Sequence, residues 1–99
     1  MVVDVFLKNI PFSASEEDVV EGVLGALTQA SESIGASMPP KVGVVSLPFD
    51  QSRGRIRGFG FVTLETGDLS AEEAVLAIFG SKVLGRTIHA ERFIPKGER

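Results

Sequence analysis

The segment that decides the fold is R-G-R-I-R-G-F-G-F-V-T-L, which spans residues 53–64 and combines three arginines, two phenylalanines and three glycines. Its second half is rich in β-branched and aromatic residues, which favour a β-strand. Glycines inside a strand indicate a bulge or the close approach of another group. The segment therefore predicts a strand from Arg57 to Leu64, preceded by a basic loop from Phe49 to Ile56.

Side chains alternate between the two faces of a strand, so this strand divides into two sets. One face carries Arg57, Phe59, Phe61 and Thr63, and the other carries Gly58, Gly60, Val62 and Leu64. Val62 and Leu64 suit a hydrophobic core, and the small glycines allow close packing on that side. We therefore expect Phe59 and Phe61 to lie on an open face of the sheet.

The first predicted strand, Val2 to Leu7, divides in the same way. Its inward set is Val3, Val5 and Leu7, and its outward set is Asp4, Phe6 and Lys8. The opposite assignment would bury the phenylalanines, as is usual for that residue, but it would also bury Asp4, Lys8 and Arg57. The pattern thus predicts three exposed phenylalanines on neighbouring strands, a patch that a monomer seldom shows without a partner.

The remaining elements are two helices and two strands. Ser15 is a good N-cap for a helix that runs to about Gln29 and extends toward Ile34, and residues 31–41 read as a loop. A strand is expected at residues 42–47. Ser70 and Glu73 form a capping box for a second helix that Gly80 ends, and R-T-I-H-A-E-R, residues 86–92, forms a fourth strand.

The order of elements is βαββαβ. It predicts an α+β, ferredoxin-like fold in which two helices pack on one face of a four-stranded antiparallel sheet. The 99 residues suit a single domain, 1–99, with its core at about residues 3–93, and we expect the domain to be a fragment of a longer protein.

Composition excludes several classes of site. The chain has no cysteine and one histidine, which argues against thiolate chemistry and a histidine metal cluster, and we expect neither a metal nor another cofactor. No apolar run is long enough to span a membrane, and the start of the chain lacks the features of a secretory signal, so we expect an intracellular protein in the nucleus, the cytoplasm or an organelle.

The net charge of −3 by itself argues against nucleic acid, but the charges are segregated along the chain. The acidic residues gather in the predicted helices at Glu16, Glu17, Asp18, Glu21, Glu72 and Glu73, whereas three arginines crowd residues 53–57. If these segments lie on opposite faces, the net charge does not describe the binding face.

These residues resemble the RNA recognition motif family. R-G-F-G-F-V-T-L, residues 57–64, matches the family's ribonucleoprotein octamer at seven of eight positions, and only Leu64 departs, where the family has an aromatic residue. V-F-L-K-N-I, residues 5–10, is similar to the companion hexamer. The resemblance covers residues 3–93, and the pair of motifs at this separation is more specific than one glycine-rich match.

The resemblance implies roles for particular residues. Phe6 and Phe59 would each stack on a base, Phe61 would lie against sugars, and Arg57 would contact a phosphate. Asn9 would stabilise the turn after the first strand rather than read a base.

Further residues could add contacts. Lys8 lies beside Phe6 on the open face, and His89 and Glu91 would point to the same face from the fourth strand. Arg53 and Arg55 belong to a loop that often holds nucleic acid in this family, although a solvated charged loop explains them equally well. His89 could equally be a surface residue without a role, and Phe93 could extend the aromatic surface or cover it.

The sequence thus predicts a module that binds single-stranded RNA in RNA processing or mRNA regulation, with single-stranded DNA as a second candidate ligand. The alternative is a protein-interaction module on the same fold, which would use the acidic helices or the sheet aromatics. An enzyme is disfavoured because the carboxylates lie mainly in helix first turns, where capping explains them, and no catalytic triad or phosphate loop is evident.

Overall fold

A computed structural model describes residues 1–93, in which the six predicted elements follow one another in the order βαββαβ, with four further short strands between them. The elements are β1 (Val2–Lys8), α1 (Glu16–Ser33), β2 (Lys41–Ser46), β3 (Phe49–Asp50), β4 (Arg55–Ile56), β5 (Phe59–Glu65), α2 (Ala71–Ile78), β6 (Lys82–Val83), β7 (Arg86–Thr87) and β8 (His89–Phe93). The predicted domain extends to Arg99, and its residues 94–99 lie outside the described part. No helix within residues 1–93 is long and apolar enough to cross a membrane.

The main sheet has four antiparallel strands in the order β2-β5-β1-β8. Helices α1 and α2 pack against each other and against one face of this sheet. The predicted α+β, ferredoxin-like βαββαβ fold is therefore confirmed. Two short hairpins, β3–β4 and β6–β7, are added to it outside the main sheet.

The core lies between the sheet and the helices. Alternate residues of β1 and β5 are buried on this side: Val3, Val5, Leu7, Val62 and Leu64. They pack with buried residues from α1 and α2: Val19, Val23, Leu27, Ala74 and Ile78. Most of the intervening residues of the two strands are only half-buried, as the alternation predicts.

Each helix begins at the predicted capping serine. Ser15 Oγ accepts a hydrogen bond from Asp18 N (3.2 Å), and the Asp18 carboxylate accepts one from Ser15 N (2.9 Å). Ser70 and Glu73 form the same reciprocal pair at α2, with distances of 3.1 and 3.0 Å. These bonds satisfy backbone donors that a helix N-terminus otherwise leaves unpaired. Helix α1 runs to Ser33, beyond Gln29, and the following loop is correspondingly shorter.

Three predicted boundaries are wrong for geometric reasons. The third main strand begins at Phe59, two residues after Arg57, because Gly58 adopts a φ of +85° that is incompatible with extended backbone. Residues 49–56 form the β3–β4 hairpin rather than a plain loop. Arg86 and Thr87 pair with β6, so the fourth main strand begins only at His89.

A β-bulge explains why strand β2 does not alternate cleanly in sequence. Val42 lies opposite Leu64, and Val45 lies opposite Val62. A step of three residues along β2 therefore matches a step of two residues along β5, and β2 carries one extra residue. Val42 and Val45 therefore both face the core side, whereas Val44 is 71% exposed. The extra residue of the bulge shifts the alternation by one position, so that Val45 faces the core as Val42 does.

Gly60 marks a close approach between β5 and β2. A Cβ atom at this position would lie 2.6 Å from Ser46 O and 2.7 Å from Leu47 Cδ2. Gly60→Ala should therefore lower the free energy of unfolding by roughly 1–3 kcal/mol, because the strands must separate or strain to accept the methyl group. Urea unfolding followed by circular dichroism measures the change.

Gly25→Ala is the matched control. Gly25 lies within α1, and a Cβ atom at this position would have no neighbour within 4 Å among residues 1–93. Alanine should therefore raise the free energy of unfolding by up to about 1 kcal/mol through its higher helix propensity. Equal effects of the two substitutions would contradict the close approach at Gly60.

Asp68 fastens the loop before β2. Its Oδ2 accepts hydrogen bonds from Ser37 N (2.8 Å) and Met38 N (3.1 Å). The backbone hydrogen bond from Met38, followed by that from Ser37, lowers the pKa of Asp68 below its ordinary value of 3.8. Because the pKa is depressed in the folded state, this contribution to stability is present above the ordinary value and is lost as the pH falls through the folded-state pKa.

We expect the amide resonances of Ser37 and Met38 to titrate together with a midpoint below 3.8, as measured by two-dimensional NMR. Asp68→Asn should abolish this titration because the amide does not ionise. A midpoint at or above the ordinary value would contradict the hydrogen-bonded arrangement.

Candidate nucleic-acid interface

Three phenylalanines form a continuous aromatic surface on the open face of the sheet. Phe6 of β1 lies directly opposite Phe61 of β5, and Phe59 lies opposite the neighbouring Lys8. The ring centroid of Phe6 is 5.0 Å from that of Phe61 and 5.7 Å from that of Phe59, and the rings are tilted relative to each other. Phe6, Phe59 and Phe61, here called the platform, are each half-buried. The structure thus brings together the three aromatic residues that the sequence selects.

Phe93 extends the platform. It lies opposite Asp4 at the end of β8, and its ring centroid is 5.3 Å from that of Phe61 in an edge-to-face arrangement. The side chain remains partly open, with 44% of the residue exposed. The sequence left open whether Phe93 extends or covers the aromatic surface, because its position depends on where β8 begins. Alternation from His89 through Glu91 would have placed it on this face.

The predicted polar residues of the open face largely engage one another or a neighbouring ring. Lys8 Nζ lies 3.1 Å from Glu91 Oε1, and 5.5 Å from the centre of the Phe6 ring. His89 lies opposite Lys8 in the sheet and stacks on Phe79, with ring centroids 5.0 Å apart. All three predicted residues therefore lie beside the platform. Because the Lys8–Glu91 pair is exposed, it can open at little cost when another partner arrives.

The three arginines differ in their surroundings. Arg53 Nε lies 3.7 Å from Asp50 Oδ2, and the Arg55 guanidinium lies 4.0 Å from the centre of the Phe12 ring. Within residues 1–93, the Arg57 side chain has no hydrogen-bond or ion-pair partner, and it is exposed. The hydrogen bond from the Ser52 side chain, together with backbone hydrogen bonds from Arg53 and Ser52, lowers the pKa of Asp50. Asp50, which pairs with Arg53, therefore stays negatively charged to lower pH. Arg57 is the least engaged of the three.

The strand boundary affects how Arg57 reaches the platform. It does not share a continuous strand with Phe59, because Gly58 interrupts the extended backbone, so alternation does not place Arg57 on the platform face. Phe12 occupies the space beside Gly58, where a Cβ atom would lie 3.1 Å from its Cε1. Phe12 thus packs against the segment between Arg55 and the platform.

Asn9 holds the turn after β1, as predicted. Its backbone has a φ of +65°, its side-chain Nδ2 donates to Thr87 O (2.8 Å), and its Oδ1 accepts from Arg86 Nε (3.2 Å) and Nη2 (2.9 Å). Both polar atoms are therefore used within the protein. The side chain joins β1 to the β6–β7 hairpin rather than presenting a free group to a ligand.

The acidic helices lie behind the sheet, away from the platform. Glu16, Glu17 and Asp18 occupy the first turn of α1, and Glu72 and Glu73 occupy that of α2, where the helix dipole favours negative charge. Since both helices cover the core face, their charge is separated from the open face by the thickness of the domain. The net charge of −3 therefore does not describe the surface around the platform.

Comparison with known proteins gives a consistent set of relatives, although no family model matches the chain. The chain is 30% identical over 96 residues to a Nostoc protein named "Putative RNA-binding protein RbpE", a match that covers 96% of this chain and 82% of that protein. It is 32% identical over 95 residues to a protein named in the same way, RbpA, from Synechocystis, with 96% and 80% coverage.

Solved structures share the fold. The crystal structure of RNA-binding protein PG1 matches with a TM-score of 0.59 and 25% identity, over 95% of this chain and 96% of that chain. The RRM of Rna15 with bound RNA (GU) matches with a TM-score of 0.61 and 24% identity, over 93% and 83%.

The turn at Asn9 can be tested by two substitutions. Asn9→Gly keeps the positive φ but removes the side-chain hydrogen bonds, so the free energy of unfolding should fall by roughly 1 kcal/mol. Asn9→Ala should cost about 1 kcal/mol more, because alanine disfavours that backbone conformation. Urea unfolding curves measure both, and an alanine variant as stable as the wild type would contradict the assigned role.

Proposed function

The chain belongs to the RNA recognition motif family, and from this premise we propose that it binds single-stranded RNA on the open face of its sheet. The observation that carries the proposal is the platform itself. Phe6 and Phe61 face each other across two strands, Phe59 lies within 5.7 Å of Phe6, and no element in residues 1–93 covers them. The relatives RbpE and RbpA are named for RNA binding, which supports the same function.

Open aromatic rings suit unpaired bases. A base that stacks on an aromatic side chain gains roughly 1–3 kcal/mol, and every base has a flat face that can do so. Single strands expose these faces, whereas the bases of a duplex are already stacked on one another. The platform therefore favours single-stranded over double-stranded nucleic acid.

The individual roles follow the family pattern. In this proposal Phe6 and Phe59 each stack on a base, and Phe61 contacts the sugars between them. Arg57 contacts a phosphate, since its exposed side chain makes no hydrogen bond or ion pair within the described residues and feels only the nearby charge of Asp50. This contact depends on the backbone around Gly58 and not on strand alternation.

A second set of residues forms the border of the site. Lys8, His89 and Glu91 lie beside the platform, and Arg53 and Arg55 lie in the β3–β4 hairpin next to Arg57. Arg53 would have to leave Asp50 to reach a phosphate, whereas Arg55 can keep one face on Phe12 and use its edge for hydrogen bonds. We expect these residues to contribute less than the platform.

Two or three stacked bases and a few phosphate contacts, less the entropy of ordering the strand, predict a dissociation constant of the order of micromolar, about 8 kcal/mol. Binding should weaken with salt, because phosphate contacts release counterions. Single-stranded DNA could use the same stacking, since stacking needs no 2′-hydroxyl. The cellular role of such binding would be in RNA processing or mRNA regulation.

A protein partner on the helical face is a separate prediction. A groove of about 510 Å³ lies between α1 and β2 and is lined by apolar Val20, Leu24 and Val45 beside Glu17 and Glu21. This surface would suit a basic partner, and it lies on the side away from the platform. The two functions would therefore not compete. We assign no catalytic role, because the relatives are named for RNA binding and the site residues are explained by it.

The proposal is tested by NMR titration of the labelled domain with short homopolymeric RNAs. Amide shifts should concentrate in β1 and β5, and Phe59→Ala/Phe61→Ala should weaken binding at least about fivefold, because loss of one stack alone costs about 1–3 kcal/mol. Leu76→Ala is the matched control, since Leu76 is an exposed apolar residue of α2 and its loss should leave binding unchanged.

The fold of the double variant is verified from its own spectrum. Shifts confined to the helices, or no shifts with any RNA while the fold is intact, would refute RNA binding on the sheet.

A further inference from the structure

A carboxylate lies on the open face next to the aromatic rings. Asp4 of β1 has Thr63 of β5 directly opposite on one side and Phe93 of β8 directly opposite on the other. It is two residues from Phe6 along the same face of the strand. Asp4 thus lies half-buried on the open face between Thr63 and Phe93, next to the place where the Phe93 ring meets that of Phe61.

Within residues 1–93, only one of the two Asp4 carboxylate oxygens accepts a hydrogen bond. Thr63 Oγ1 donates a hydrogen bond to Asp4 Oδ1 at 2.9 Å, and this bond fixes the orientation of the carboxylate. In residues 1–93, Asp4 has no ion-pair partner and Oδ2 has no hydrogen-bond donor. Glu91, the other acid beside the platform, differs because it pairs with Lys8.

An unpaired carboxylate is unfavourable for phosphate but favourable for a base. It repels the negative backbone, and when ionised it can only accept hydrogen bonds. A ligand group that satisfies it must therefore donate. An RNA strand donates through the 2′-hydroxyl, the ring N–H groups of uracil and guanine, and the exocyclic amines of cytosine, adenine and guanine. Of these, the exocyclic amines lie at the base edge, and a carboxylate accepting from the cytosine N4 amine is an established geometry.

We propose that the Asp4–Thr63 pair recognises a base bound on this sheet. It selects a base that carries an exocyclic amine over uracil. The proposal rests on the RNA binding proposed above and adds a chemical preference to it. Uracil presents a carbonyl oxygen where cytosine presents its amine, and that oxygen would face the carboxylate without a proton between them. The preference therefore arises from repulsion as well as attraction.

Phe93 supplies the surface on which the selected base rests. Its ring meets Phe61 nearly edge-on, with an interplanar angle of 70°, and 44% of the residue stays exposed. The ring and the carboxylate have separate effects: stacking on Phe93 accepts any base, whereas Asp4 distinguishes among them. Loss of Phe93 should weaken all RNAs alike, and loss of the Asp4 charge should remove the discrimination.

The experiment compares pentauridine with five pentamers that each carry one cytidine, by isothermal calorimetry or fluorescence anisotropy. Cytosine and uracil are equal in size, so the comparison isolates the amine. For the wild type, one position should favour cytidine by roughly five- to tenfold, as expected for one charge-assisted hydrogen bond at a partly exposed site. Asp4→Asn should bring that ratio to about one, because its amide can also pair with uracil.

Three further variants separate the contributions. Thr63→Val should reduce the ratio by releasing the carboxylate from its fixed orientation, and Phe93→Ala should weaken every pentamer while keeping the ratio. Glu17→Gln is the charge control: it removes one negative charge from the helical face, as Asp4→Asn does from the sheet, and should leave the ratio unchanged. The use of a ratio cancels the general gain in affinity that follows from lowering the negative charge.

The outcomes distinguish this inference from the proposed function. If no pentamer binds the folded wild type, RNA binding itself fails, and the inference fails with it. If the pentamers bind but none favours cytidine, or if Asp4→Asn keeps the preference, RNA binding stands and the base-reading role of Asp4 is refuted.

Discussion

The antiparallel register between β1 and β5 is the constraint on which both faces of the domain depend. The same pairing that sets Phe6 opposite Phe61 also sets Val5 opposite Val62. One ladder of backbone hydrogen bonds therefore builds the aromatic surface and the core together. A slip of one residue would exchange the two faces of a strand, bringing charged side chains inward and aliphatic ones into water. The cost of that exchange keeps the rings on the open face.

Glycine determines how the neighbouring segments meet this central pair of strands. Gly60 lets β2 approach closely on one side, and Gly58 precedes the strand with a backbone conformation that other residues rarely adopt. The turn at Gly58 is also held by the hydrogen bond from Ile10 N to Gly58 O (2.9 Å). Phe12 fills the space beside Gly58 that a side chain would occupy, and the Arg55 guanidinium stacks on the Phe12 ring. The glycines thus connect the platform with the basic hairpin beside it.

The charged residues of the two helices and those of the open face have different roles. Helix acids cap and complement the helix dipoles on the rear of the domain, where they do not meet the open face. On the open face itself, Lys8 pairs with Glu91, whereas Asp4 accepts a hydrogen bond from the Thr63 hydroxyl group and has no ion-pair partner in the part of the chain that the structure describes. A surface of this kind holds bases by stacking and shape more than by net positive charge. Under the proposed function, the rings would supply the affinity for nucleic acid, and the polar groups beside them would supply the choice among bases.

The sequence alone determined the order of elements, the two capping serines, and the division of β1 and β5 into an inner and an outer face. These are local properties, because periodicity and capping depend on residues that are close in the chain. The positions of Arg57 and Phe93 and the bulge in β2 were decided by tertiary structure. A bulge or a positive φ is fixed by the strand that packs beside it, and the pairing of Asp4 with Thr63 and Phe93 joins three strands that are distant in sequence. The sequence could therefore identify the rings, but only the folded sheet shows which polar groups lie between them.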